Sequence, residues 1–540
     1  MIDPSTEAPP LPPRSSPWAP LRQPVFRMLW GVWFASNICM WMNDVASAWM
    51  MTSLTASPAM VALVQSASSL PVFLLGLPSG ALADIIDRRR YLIFTQFWVA
   101  SVGTLLCVVT LAGAMTAPLL LALTFANGIG LAMRWPAFSA IIPELIERPQ
   151  LPAALALNAI SMNMSRIVGP IIAGALIASL GSAYVFLLNA AISIASGVFI
   201  LRWRSEPKVS ALPGERFIGA MRVGLQYVRQ SRRMHAILLR ISSYFFQAAA
   251  LTSLLPLLAR QLPGGDAGTF TLLLAAMGAG AVTLALNMGW VRQRMSGDAL
   301  IRNGALLQAA ATAAMAFAPN VWVALPLMFM SGVATISVAN ALSVSAQLAL
   351  PNWVRARGMS IYQMSLMGGG AIGAAIWGQV ATHTTLRTGL LAAALFGALS
   401  MTLIRRRYDL DPSSEEDLTP SEALRPTALP TVVDPSAGPV LTTIEYQIDP
   451  ERAGEFRAVM QQSRRSRLRQ GALSWELFRD AAVPGRYVEY IVDESWIEHL
   501  RRFDRITSDD VAWRERRLAL HIGEAPPRIT RCIAEAVGRA

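Results

Sequence analysis

Gly80-Ala-Leu-Ala-Asp84-Ile-Ile-Asp87-Arg88-Arg89-Arg90 decides the reading of this chain. An apolar run of helical length ends in a carboxylate and then in three consecutive arginines, and about a dozen such runs follow one another. A bilayer core of about 30 Å takes ~20 mostly apolar helical residues. Runs of that kind occupy 29–53, 60–83, 91–113, 118–142, 154–179, 183–202, 236–260, 268–290, 300–318, 321–348, 359–382 and 387–404. The chain thus reads as a polytopic membrane protein.

Composition agrees and shows where the membrane part stops. Only 15% of the 540 residues are charged and 54% are hydrophobic, with a mean hydropathy of +0.42. A soluble domain carries about 25% charge, and only residues 405–540 look like one. The net charge of +12 and pI near 10.4 do not point to nucleic acid, because the arginines sit in alternate loops between apolar runs. Arg88–Arg90, Arg148, the 202–240 segment, Arg292, Arg294, Arg302, Arg355, Arg357 and Arg405–Arg407 fall on one side, while Arg260 and Arg387 fall on the other. The positive-inside bias then places both termini in the cytoplasm of a bacterial-type inner membrane. The Pro-rich start (1–28) reads as a disordered tail rather than a signal peptide. Three cysteines without CxxC spacing and four scattered histidines indicate neither a disulfide framework nor a metal site, and no cofactor is expected.

The runs divide six and six, 29–202 and 236–404, around a basic loop at 203–235. There Phe217, Met221, Leu225 and Val228 recur at helical spacing, which predicts an amphipathic helix at the inner headgroups. The halves echo each other at an offset of 204: Phe125/Phe329, Gly128/Gly332, Ser161/Ser365, Gly169/Gly373 and Gly174/Gly378. Parallel six-helix repeats are a transporter plan. The matched residues are mostly small, so shared close packing accounts for them. After a Pro/Ser/Thr-rich linker (405–439), residues 440–540 alternate as βαββαβ, with strands at 441–448, 473–479, 487–492 and 529–533 and helices at 450–469 and 496–520. That order predicts a ferredoxin-like α+β domain. The fold class is therefore an all-α, twelve-helix membrane protein with a soluble α+β tail.

The Gly80–Arg90 segment resembles the loop 2–3 motif of the major facilitator superfamily, with Asp84 in the acidic position. Asp87 departs from the Gly that many members carry. The equivalent second-half loop, Gly289–Gly297, lacks the acid, which implies a weaker gate contact in that half. Gly128-Ile-Gly130-Leu-Ala-Met-Arg-Trp-Pro136, Ile142-Pro143-Glu144, Asn158, Asn163, Arg166, Gly169-Pro170 and Pro351-Asn-Trp-Val-Arg355-Ala-Arg357-Gly358 are similar to the enterobactin-exporter-like subgroup called transmembrane secretion effectors. The tail segments Trp475–Asp480 and Glu494–Leu500 resemble the dimeric α+β barrel of antibiotic-biosynthesis monooxygenases. The resemblance implies proton-driven efflux of a small organic molecule, drug- or siderophore-like. A proton and a small solute are then the partners, no enzyme activity is expected, and the tail is read as a dimerisation or regulatory module. Rivals are an importer or symporter of the same fold, and a membrane-anchored oxygenase or sensor working through the tail.

Single polar residues carry the site predictions. Asp44 in the first run costs ~2.5–3.5 kcal/mol at membrane depth and is expected to face a cavity or a partner. Asn37, Trp41 and Asp44 share a helix face. Arg134 and Arg166 are the other intramembrane charges. Two cations opposite one carboxylate leave a positive surplus suited to an anionic solute, although either arginine also serves as a helix lock. Asn158, Asn163 and Gln363 complete the candidate cavity set. Gly80, Asp84, Arg88 and Arg89 form the expected cytoplasmic gate. Gly169, Pro170 and Gly174 are the expected helix bend, since Pro removes a backbone hydrogen bond and Gly permits close crossing. No Walker sequence occurs, so an ion gradient is the expected energy source. Trp496 and His499 are the suggestive pair in the tail, and Arg464–Arg469 a basic stretch for inner-leaflet lipid.

Overall fold

The computed structural model describes residues 18–535, apart from 86, 147–149, 203–216, 352, 409–416, 418, 420 and 422–432. Twelve long helices form two sets of six. The first is α1 (Pro24–Leu54), α2 (Pro58–Ile85), α3 (Arg88–Leu111), α4 (Ala117–Leu145), α5 (Leu151–Ser179) and α6 (Ser182–Arg202). A shorter helix, α7 (Phe217–Gln230), leads to the second set: α8 (Arg232–Gln261), α9 (Ala267–Arg294), α10 (Gly297–Met315), α11 (Val321–Leu348), α12 (Arg355–His383) and α13 (Leu386–Arg407). Among the described residues nine helices are long and apolar enough to cross a membrane by length and composition. The three long helices that fall short are α1, α10 and α12, and α1 and α12 bring Asp44 and Gln363 into the protein interior.

Sequence order puts all the arginine-rich connections at one end of the bundle, the arginine end. The packing differs between the two ends. At the far end one apolar core is drawn from both halves: Met42, Val45, Met51 and Leu120 pack in the same cluster as Leu251, Leu255, Phe270, Met328 and Trp377. At the arginine end each half keeps its own core. Phe26, Trp33, Tyr91 and Phe138 belong to the first, and Met234, Ile237, Tyr362 and Met401 to the second. The halves are therefore closed together at the far end and packed separately at the other.

The repeat glycines mark these crossings. A Cβ on Gly169 would lie 2.6 Å from Trp41 Cβ of α1, and one on Gly373 would collide with the Phe246 carbonyl of α8, the equivalent contact in the second half. Gly174 of α5 meets Thr271 of α9, and Gly378 of α12 meets Ala59 and Ala62 of α2. The offset of 204 thus reproduces both seams between the halves. Close approach, permitted by the missing side chain, is what the repeat preserves.

The tail forms β1 (Val440–Gln447), α14 (Ala453–Arg469), β2 (Ser474–Arg479), β3 (Arg486–Asp493), α15 (Trp496–Asp504), α16 (Ser508–Ala519) and β4 (Arg528–Ile533), with an antiparallel sheet of order β2-β3-β1-β4. The β2–β3 turn needs Gly485: its φ is +79° and a Cβ there would collide with the Ile448 carbonyl. The single helix expected over 496–520 is instead two. Thr507 and Asp510 form a capping box that starts α16 afresh.

Two sequence expectations are corrected here. The apolar stripe of α7 does not simply face headgroups: Val223, Tyr227 and Val228 are buried in protein, and Leu225 is half exposed. Tyr227 donates to the Ala349 carbonyl at 3.0 Å, Gln226 Nε2 donates to the Ala472 carbonyl at 2.8 Å, and Arg222 pairs with Glu494 at 2.7 Å. The helix is wedged between the second half and the tail. Nor is Arg464–Arg469 a free basic strip. Arg467 reaches the fully buried Glu489 at 3.3 Å, and Arg469 lies 3.8 Å from Asp510.

Candidate functional site

Between the halves lies a cavity of about 330 Å³, within the size range of small-molecule sites. The first half contributes Trp41, Asp44, Gln65, Ser68, Arg166 and Pro170, and the second Phe245, Thr252, Thr335 and Gln363, set among Met40, Met162, Met277 and Met367. Asp44 stands on this wall with Trp41, Val45 and Ala48 of the same helix, while Met42 turns into the shared core. Ser68 Oγ donates to Asp44 Oδ1 at 2.9 Å. Across the seam Thr252 Oγ1 donates to Gln65 Oε1 at 3.0 Å, and Ser66 Oγ to the Ala371 carbonyl at 2.7 Å.

Arg166 projects from α5 one turn before the Gly169-Pro170 pair. Its guanidinium carbon lies 5.7 Å from the Trp41 ring centroid. It forms no ion pair with Asp44 among the described residues. Behind it Tyr244 donates to Thr335 Oγ1 at 3.2 Å, and Ser331 Oγ donates to Gln308 Oε1 at 2.9 Å, a polar network that fills the second half beside the cavity.

The other predicted positions separate from this group. Arg134 is only 5% exposed and is absent from the cavity wall. Its NH2 donates to Asn37 Oδ1 at 3.4 Å and its guanidinium lies 5.3 Å from the Trp33 ring, which stacks on Phe138 at 4.0 Å. Arg134 and Asn37 thus join α4 to α1 away from the cavity. Asn158 is partly buried, with its Oδ1 unpartnered, and lies off the wall. The Asn163 side chain lies outside the described residues, as do those of Gly80, Asp84 and Arg88. Arg89 donates to the carbonyls of Ile200 and Leu201 at 3.3 and 2.6 Å. It therefore closes the C-terminal end of α6 within its own half. Pro170 lies inside α5 and lines the cavity.

Several contacts were missed by sequence reasoning. Asp298 stands one residue past the Gly289–Gly297 loop. It binds the buried Arg240 at 2.5 Å and Arg405 at 3.1 Å, while Arg240 also donates to the Tyr408 carbonyl at 2.9 Å. This acid ties α8, α10 and α13 together, and its signal was an acid directly after Gly297. At the far end Arg260 of α8 donates to the Thr52 carbonyl of α1 at 2.8 Å and lies 4.9 Å from the Trp49 ring. Trp49 in turn stacks on Phe270 at 5.9 Å. A lone arginine on the charge-poor side was that signal.

In the tail His499 Nδ1 and Asp493 Oδ2 are 2.8 Å apart, Arg502 approaches the same oxygen at 3.4 Å, and Trp496 lies 5.1 Å from the imidazole. Burial works to raise the Asp493 carboxyl, but Arg502 and His499 hold it below its ordinary value. On this geometry the histidine is a core residue held through Nδ1, with its buried Nε2 unpartnered. Among the described residues no group of three His, Cys, Asp or Glu side chains could hold a metal ion.

Comparison with known proteins gives the arrangement its kinship. The chain is 26% identical to macrolide efflux protein A of Streptococcus pyogenes over 43% of its length and 58% of that protein, and 26% identical to the staphyloferrin A transporter of Staphylococcus aureus over 28% of its length and 38% of that protein. It thus spans less than two thirds of the length of these relatives. A bacterial homologue of the human lysosomal transporter Spinster, solved inward-facing and unoccupied, superposes with a TM-score of 0.59 at 15% identity, over 72% of this chain and 98% of that one. At that identity the likeness is one of fold. The family profile described as transmembrane secretion effector matches residues 15–538, tail included, and the protein belongs to that family of membrane-embedded major facilitator transporters.

Proposed function

We propose that the chain exports a small amphipathic organic molecule in exchange for protons, by rocking its two six-helix halves around the cavity. The observation that carries this is the unequal packing of the two ends: a shared core closes the far end, and separate cores leave the arginine end free to part. With the arginine loops cytoplasmic, as the reading of the loops has it, both termini lie inside and this conformation faces the cytoplasm, where an exporter takes up cargo. The efflux relatives favour outward transport. Asp44 is the proposed proton carrier, since it is a carboxylate on the wall of the cavity with Ser68 as its hydrogen-bond partner. Asp84 and Arg88 are the proposed gate at the arginine end, with Arg89 supporting it through α6. The tail is proposed to pair with a second copy through the open face of its sheet, where Phe478 and Tyr490 are exposed.

Reconstituted vesicles of defined orientation test the reading. An imposed pH gradient should drive cargo against its own gradient, and Asp44→Asn should abolish that uphill movement while leaving downhill exchange. Accumulation in the opposite direction would make the protein an importer. Transport that ignores every ion gradient would remove the coupling.

A further inference from the structure

We infer that the cargo docks through a carboxylate on Arg166, with its apolar body lying along Trp41 and the methionine wall; this rests on the cavity being the cargo site. The buried unmet polar atoms on the wall are Arg166 Nε and Trp41 Nε1, which only donate, and the Ser253 hydroxyl, which can donate or accept. Arg166 lines the cavity and has no hydrogen bond or ion pair among the described residues, and its Nε is buried. Beside it the indole Nε1 of Trp41 is also buried and unpartnered. A buried donor without an acceptor is costly, and the part-buried Arg166 carries its charge on the cavity wall with no ion-pair partner among the described residues. The acid of the cavity does not relieve them: Asp44 accepts from Ser68 and makes no hydrogen bond or ion pair with Arg166 or Trp41 among the described residues. The group that fits is supplied from solution. It has to accept hydrogen bonds in the plane of a guanidinium fork, as a carboxylate does.

The rest of the cavity narrows the class. The Trp41 ring lies 5.7 Å from the guanidinium carbon, within cation–π range. Met40, Met162, Met277 and Met367 give a soft apolar wall that adapts to an aromatic or aliphatic body. Arg166 is the one cation lining the cavity among the described residues, and Asp44 lies on the same wall, so a second negative charge on the cargo would be uncompensated. The predicted class is a monoanionic amphipathic carboxylate. Trp41 and Arg166 belong to the first half, and Thr335 and Gln363 face them from the second, so such a cargo touches both moving parts.

Equilibrium binding of simple probes to the purified full chain tests this without any flux measurement. The probes are 2-naphthoate, 2-naphthamide and 2-naphthylmethylamine, which share one body and differ in charge. The expected result is binding of the carboxylate about tenfold or more tighter than the amide. Arg166→Gln should erase that preference while leaving amide affinity within about twofold, and Arg166→Lys should retain part of it. Preference for the amine overturns the inference, as does an equal loss of acid and amide affinity in Arg166→Gln. A wild-type chain that binds naphthoate as expected yet moves no solute in vesicles would instead refute the transport reading and leave this site standing. A chain that transports while preferring the amine would do the reverse.

Discussion

Arg260 is an exposed side chain in the far-end closure and simple to perturb. It reaches from α8 to the Thr52 carbonyl of α1 at 2.8 Å and lies 4.9 Å from the Trp49 ring. A hydrogen bond to a charged group contributes about 1.5–3 kcal/mol. The side chain is largely solvated, so the lower bound applies and ~1.5 kcal/mol is the fitting figure. An exposed cation–π contact adds ~0.5 kcal/mol. Both exist only while the far end is closed. Arg260→Gln should therefore shift the balance between closed and open far ends by ~2 kcal/mol, or about 30-fold. Spin labels on Ala56→Cys and Thr384→Cys, in a chain whose Cys39, Cys107 and Cys532 have been replaced, flank this seam and read its width by pulsed dipolar spectroscopy. The variant should gain a long-distance population at the expense of the short one. An unchanged distance distribution, in protein that folds normally, would refute the reasoning that this contact latches the two halves.

Other perturbations separate packing from cargo. Arg134→Met, which removes the lock between α4 and α1, should lower thermal stability while changing the affinity for transported solute less than twofold; a tenfold rise in KM would return Arg134 to the cavity. Gly174→Val drives its side chain into Thr271, which already fills the space that even a Cβ would need. Overpacking costs about 1–3 kcal/mol, here against the closed far end, so it should move the spin-label distances the same way as Arg260→Gln. In the tail Glu489 is fully buried between Trp475 Nε1 at 2.8 Å and Tyr446 Oη at 3.0 Å. Burial works to raise its carboxyl, but Arg467 and Arg517 hold it below its ordinary value. A depressed folded value means its stabilisation is complete above about pH 4.3 and is lost as pH falls towards the folded value. Hydrogen exchange across residues 440–535 should accelerate in that acidic window, and Glu489→Gln should reduce protection by ~3 kcal/mol at neutral pH. Arg222→Glu should loosen the tail from α7 by ~0.5 kcal/mol, the worth of a part-exposed pair, and the double exchange with Glu494→Arg should restore proteolytic resistance.

Much of the architecture was legible because lipid leaves few choices. Apolar length marked the helices, loop arginines ordered their ends, and the spacing of Gly169, Gly174, Gly373 and Gly378 already held the repeat. The site was less legible for a physical reason. A helix face is a local property, but a cavity wall is assembled from faces on several helices. Asp44 and Arg166, which line the cavity, stood out in the sequence because charge at membrane depth is rare. Gln65, Ser68, Thr252 and Thr335 are ordinary polar residues, and nothing local distinguishes a wall residue from one that bonds its own backbone, as Thr104 does to the Ala100 carbonyl. Arg134 shows the limit from the other side. Its residue type and its apolar surroundings matched those of Arg166, and only tertiary packing against Asn37 and Trp33 separates a lock from a cavity cation. Arg467 and Arg469 looked like a lipid-facing strip because helical spacing cannot reveal that Glu489 and Asp510 approach from other elements.

The locks and seams together constrain how the protein moves. Each half carries its own fastening at the arginine end: Arg89 on the α6 terminus in the first, and Arg240 and Arg405 on Asp298 in the second. Each also has a complete apolar core there. In the proposed rocking, opening or closing that end would therefore ask nothing of the interior of either half, and the halves would turn as rigid bodies. The contacts between them are of another kind. Thr252 to Gln65, Ser66 to Ala371, the Ala59 amide to Thr382 and Arg260 to Thr52 are single hydrogen bonds laid over glycine crossings. Such contacts can be exchanged one at a time at modest cost. The shared far-end core holds the halves more strongly, and separating it exposes apolar surface that the opposite end has to bury in return. A cargo docked as proposed, on Arg166 and Trp41 of one half and against Thr335 and Gln363 of the other, would lie between these two opposing closures. It alters the equilibrium only through contacts that differ between the two states. This is why a cavity group such as Arg166, rather than the more numerous seam residues, is where selectivity for cargo has to reside.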